Sequence, residues 1–144
     1  MRRRTHARPL RLAGALIAST GLALATIAPA YAAQADTPFI SEIHYDNAGT
    51  DTGEAIEVQA PPGFDLTGWQ LVLYNGANGA AYSTRTLGGT VPATGVVVEN
   101  YPTDGIQNGS PDGVALVSPS GDVVEFLSYE GTFAAVGGPA DGRT

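Results

Sequence analysis

The sequence predicts an all-β sandwich, and three observations carry that expectation. Apolar, β-branched and aromatic residues recur with period two in short runs. Clusters of Gly, Pro, Asn and Asp space those runs at fairly even intervals. No stretch beyond residue 32 shows a convincing helical period.

Taken in order, the first two runs form a strand pair. In Phe39–Tyr45, Phe39, Ile43 and Tyr45 fall on one parity and Ile40, Glu42 and His44 on the other. In the second run Glu54, Ile56 and Val58 oppose Ala55, Glu57 and Gln59. Asp46–Gly53 between them has turn-forming residues. Pro61-Pro62-Gly63 cannot continue a central strand. A third strand follows, with Trp69, Leu71 and Leu73 alternating with Gln70, Val72 and Tyr74. Asn75-Gly76 and Asn78-Gly79 turn it into a fourth, Ala81–Leu87, which Gly88-Gly89 ends. Val96-Val97-Val98 reads as a fifth strand, and Tyr101–Gly113 as a long surface loop. Val114–Val117, turned at Ser118–Gly121 into Val123–Tyr129, completes the set. The expected core is Ile56, Val58, Trp69, Leu71, Leu73, Val98, Leu116 and Phe126. Residues 133–144 read as a Gly/Pro-rich tail with no capping element, a truncated domain end that leaves a strand edge uncovered.

The start of the chain is of another kind. Arg2, Arg3, Arg4, Arg8 and Arg11 precede an uncharged apolar run over 12–28, and Ala30-Tyr31-Ala32 and Ala33-Gln34-Ala35 follow as small-residue cleavage sites. Basic, then apolar, then small is the layout of a helical secretory signal peptide, expected over 1–32 with cleavage after Ala32 or, alternatively, Ala35. Residues 33–37 are then a linker and 38–132 the sandwich. The expected location is extracellular, with membrane contact only through the transient signal peptide.

Composition narrows the function. The whole chain carries a net charge of −7, but all 14 acids lie beyond Tyr31, where only Arg85 and Arg143 oppose them. Two bases against 14 acids leave −12 after processing. Such a surface repels phosphate backbones and lacks the basic side chains that drive nucleic-acid binding, so no direct nucleic-acid contact is expected. The absence of cysteine excludes disulfides, thiolate metal sites and thiol nucleophiles.

The blocks Ile40-Ser41-Glu42-Ile43-His44-Tyr45, Gly53-Glu54-Ala55-Ile56-Glu57-Val58 and Asp65-Leu66-Thr67-Gly68-Trp69-Gln70-Leu71 resemble the lamin tail domain family. More narrowly, they resemble copies at the N-terminus of secreted bacterial proteins, several of them extracellular nucleases. The resemblance spans 38–132. It implies an immunoglobulin-like sandwich used as a non-catalytic accessory module. The parent would be a larger exported protein, nuclease- or phosphatase-like, held by the module against a protein or cell-surface partner.

Three constellations could carry chemistry. Asp46, Asn47, Asp51 and Glu54 place four hard oxygen donors in nine residues, a candidate calcium site, although Asx turns account for the same residues. Asp104, Asn108 and Asp112 form a second cluster of that kind. Glu42, His44 and Glu57 form a candidate recognition set, with Glu42 and Glu57 at positions where the family tends to keep an acid. No cofactor other than a possible calcium ion is expected. The alternatives are a metal-dependent extracellular hydrolase built on His44 with Glu42, Asp46 and Glu57, and a calcium-stabilised adhesion domain. The first needs several acids converging with the histidine on metal and water.

Overall fold

The computed structural model describes residues 36–144; the signal peptide read over 1–32 and the first linker residues lie outside the described residues. Seven strands follow: β1 (Phe39–His44), β2 (Ala55–Gln59), β3 (Gln70–Asn75), β4 (Ala81–Thr86), β5 (Val96–Asn100), β6 (Asp112–Val117) and β7 (Val123–Tyr129). They make two antiparallel sheets, β1-β2-β5 and β4-β3-β6-β7, and there is no helix among the described residues. One apolar cluster joins the two: Ile40, Ile56 and Val58 from the first sheet, Leu71, Leu73, Val114 and Leu116 from the second. Burying both inner faces against each other is what makes two half-apolar sheets a sandwich.

The first strand contains a device that parity counting misses. A bulge between Ile40 and Glu42 inserts Ser41, so Ile40 faces Val58 while Ile43 faces Ile56. Strict alternation would put one of those two isoleucines in water. The bulge brings both to the core side and leaves Glu42 opposite Glu57.

Two expected core residues lie elsewhere. Val98 is 46% exposed. The run Val96-Val97-Val98 has no parity of its own, and pairing with β2 decides it: Val97 sits opposite the buried Val58, which turns Val98 outward beside Glu57. Phe126 is half-buried in a second cluster on the far face of the larger sheet. Its ring meets Tyr74 edge-on at 5.7 Å and Phe133 at 5.8 Å. Trp69, Leu71, Leu73, Ile56, Val58 and Leu116 are buried in the main core as expected.

That second cluster exists because the C-terminal residues cap it. Residues 133–144, expected as a tail without a capping element, fold back over Val72, Tyr74, Ala115 and Val117, burying Ala135 and Ala140 with them. Ala80 and Val136 form a parallel bridge, and the Val136 N–H donates to the Gly79 carbonyl at 2.8 Å. The Ala140 N–H donates to Tyr74 Oη at 3.0 Å. Gly138, at φ 64°, passes so close that a Cβ there would stand 2.8 Å from the same oxygen. Composition hid this element, because its backbone bonds need no periodic pattern.

Both open sides of the sandwich are bridged by side chains. Glu125 of β7 accepts the Ile40 N–H of β1 at 2.7 Å, occupying an edge donor that another chain would otherwise seek. Across the other side, Arg85 of β4 lies 4.0 Å from Glu99 of β5 and 5.3 Å over the Tyr101 ring. At one end Leu66, Leu87 and Val91 plug the core, with Phe64 edge-on to Trp69 at 5.9 Å. The other end, where β2 and β6 begin and β3 finishes, carries the acidic loops.

Candidate functional site

Residues 45–54 join β1 to β2, and residues 101–111 join β5 to β6. Neither is apolar enough to fold by burial, so hydrogen bonds must hold them. Glu54 supplies the central ones. It is fully buried, and its carboxylate accepts the Gly105 N–H at 2.7 Å and the Ile106 N–H at 2.9 Å. Its backbone carbonyl takes the Tyr101 N–H at 2.9 Å. A buried carboxylate is costly unless such donors meet it, and charge-assisted bonds to N–H groups are the strong kind. Docking the second loop this way also drives Tyr101 and Ile106 into the core.

Asp51 repeats the arrangement nearer the surface. One oxygen accepts the Asn47 N–H at 2.8 Å, an i to i+4 closure of its own loop. The other accepts the Asn108 side-chain amide at 2.8 Å. Main chain joins the loops as well: the Asp104 N–H donates to the Asp51 carbonyl at 3.1 Å, and the Asp51 N–H to Asp104 Oδ1 at 3.3 Å. Asp104 adopts φ 55°, a left-handed conformation that Asp tolerates better than most residues. Tyrosines brace the far side. Tyr82 Oη accepts the Gln107 N–H at 2.9 Å and Tyr129 Oη donates to the Gln107 carbonyl at 2.8 Å. Burial pushes both phenols above the usual tyrosine range.

These bonds border an open cleft of about 440 Å³, lined by Asp51, Asn75, Asp104, Asn108, Ser110 and Asp112 among others. Asp112 opens β6 and is 2% exposed. One carboxylate oxygen accepts the Gly76 N–H at 2.9 Å; the other is buried and meets no donor. Gly76 is required here, since a Cβ would collide with the Pro111 carbonyl.

The structure therefore turns Glu54 away from the first acidic cluster and brings the second cluster to the cleft. It leaves Asp46, Asn47 and Asp51 linked through the Asn108 amide and the Asn47 N–H. Asp46 stays exposed, with Asn47 beside it, Asp51 turns toward the cleft, and Glu54 turns inward with both oxygens committed. Asp104, Asn108 and Asp112 all line the cleft. Among the described residues, no three His, Asp or Glu side chains are grouped so as to hold a metal ion. Glu42 and Glu57 are direct cross-strand neighbours on the outer face of the smaller sheet, where Val98 follows on β5. Like charges so placed destabilise a sheet. His44 follows in the same row, opposite Ala55 at the end of β1, and its Nε2 lies 3.0 Å from Asn47 Nδ2 of the adjoining loop. Glu42 and Glu57 lie on the strand face, Asp46 in the loop, and none of the three with His44 lines the cleft. Sequence reasoning missed Asn75, which sits opposite Asp112 in the β3–β6 register.

The arrangement presents fixed oxygen acceptors at a concave, acidic end, which suits a ligand rich in N–H donors or positive charge. No family model matches the chain, and neither curated proteins nor solved structures give a match.

Proposed function

We propose that the chain is a secreted, non-catalytic, lamin-tail-like binding module, the N-terminal part of a larger exported protein of nuclease- or phosphatase-like activity. The observation that carries the binding reading is the acidic cleft, whose walls are fixed by backbone bonds to Glu54 and Asp51. Pre-set walls of this kind favour recognition, because little ordering remains to be done on contact. The three resemblance blocks fall on β1, β2 and the entry to β3, strands of both sheets, as a sandwich of the lamin-tail type would need. The excess of acids supports a protein partner over nucleic acid.

The purified chain, incubated with DNA or phosphoester substrates and magnesium or manganese, is expected to leave them intact. Hydrolysis by the chain that disappears in His44→Ala would overturn the reading and restore a metal-dependent hydrolase.

A further inference from the structure

We infer that the cleft at Asp112 is a seat for a guanidinium group, the chemistry of an arginine side chain. This deepens the binding-module reading and rests on it. The decisive feature is the second carboxylate oxygen of Asp112. In a side chain 98% buried, it has no hydrogen-bond partner, while its twin accepts the Gly76 N–H. Buried polar groups are nearly always paired, and an ionised one demands it most. The oxygen lies beneath Gly109, close enough that a Cβ there would stand 3.1 Å away. Gly109 is exposed and lines the cleft together with Asp112, so this oxygen sits directly under the cleft lining.

Size and donor count then choose the occupant. Calcium gathers six to eight oxygens at about 2.3–2.6 Å, and no three acidic or histidine side chains among the described residues are grouped to begin such a shell. A volume of about 440 Å³ falls in the range of small-molecule sites, far beyond what a bare ion fills. Asp51, Asp104, Asn75, Asn108 and Ser110 line the same cleft. The Asp51 oxygens, Asp104 Oδ1 and Asn75 Oδ1 each already accept one N–H, and each such oxygen keeps a lone pair for a further donor. A guanidinium carries five N–H donors in a planar fork and stays charged at every physiological pH; a lysine ammonium is a compact point charge that uses fewer of these acceptors. The acidic balance of the described region draws such a group in from solution.

Calorimetric titration of the purified chain tests this with three probes: an arginine-containing peptide, the same peptide with citrulline for arginine, and acetyl-arginine-amide. The arginine peptide is expected to bind, the citrulline peptide at least tenfold more weakly. Tighter binding of the peptide than of acetyl-arginine-amide assigns the site to a protein partner; equal binding assigns it to a free guanidinium compound. Asp112→Asn should lose at least tenfold in affinity, whereas Asp36→Asn, with the same change of charge outside the cleft, should not. Should Asp112→Asn fail to fold, amide shifts on the unmutated chain replace it, and they should concentrate at residues 104–112. No binding, equal binding of the arginine and citrulline peptides, or shifts confined to the outer face of the smaller sheet would each overturn the assignment. So would calcium displacing the arginine peptide from those same amides. A negative result here without hydrolysis removes the ligand alone; hydrolysis removes the module reading itself.

Discussion

Trp69 shows how a single residue can be read correctly from sequence. It precedes an alternating apolar strand, and in the fold it is 7% exposed against Phe64 at the plugged end. Trp69→Ala should cost about 3–5 kcal/mol, the scale for emptying an aromatic core position. That is a large share of a total stability of about 5–15 kcal/mol. Urea denaturation checks it, and a loss below about 1 kcal/mol would place the indole outside the core. The tyrosines behave differently. Burial first, and then neighbouring acids and phenols, raises the Tyr101 and Tyr129 phenols above their ordinary value of 10.0. The unfolded chain therefore gives up these protons before the folded one does. Stability should hold below about pH 10 and fall as pH rises toward the folded-state values. Urea midpoints followed from about pH 8 to about pH 11.5 should be flat and then decline; a flat profile throughout would contradict the burial of these rings. Val98 marks where residue-level reading stops. Three consecutive valines carry no parity, so only the Val58–Val97 pairing decides which of them faces the core.

At the level of elements, all seven strands were legible because period two and turn chemistry agree along the chain. The bulge at Ser41 was not, since it depends on which residue of β2 lies opposite. The C-terminal cap was not either. Its apolar content is spread over Phe133, Ala135 and Ala140, too thin to form a pattern, and its hold on the sheet runs through main chain and Tyr74. Two variants measure what this cap contributes. Tyr74→Phe removes the hydrogen bond to Ala140 and should cost about 1 kcal/mol. Truncation after Thr132 bares Val72, Tyr74, Ala115 and Val117 together. It should lower the urea midpoint much further and promote association, because an exposed apolar sheet face seeks a partner. Equal effects of the two would mean that residues 133–144 contribute little beyond one bond.

For the molecule as a whole, two sheets form the frame, and the acidic loops gather at one end of it. The acidic composition of those loops was readable; their assembly was not. Glu54 read as a candidate calcium donor alongside Asp46, Asn47 and Asp51, because charge alone says nothing about direction. Its parity with Ile56 and Val58, both fully buried, was the signal that it points inward. What it meets there, the Gly105 and Ile106 amides, lies 51 and 52 residues away. The pre-formed cleft therefore depends on Glu54 fastening the two loops together. Amide hydrogen exchange tests that most directly. In the unmutated chain the Gly105 and Ile106 amides should be protected to the same order as those of β3 and β6. In Glu54→Gln both should exchange much faster while the strands stay protected. Exchange of Gly105 and Ile106 at the rate of open loops in the unmutated chain, or protection unchanged by Glu54→Gln, would contradict it.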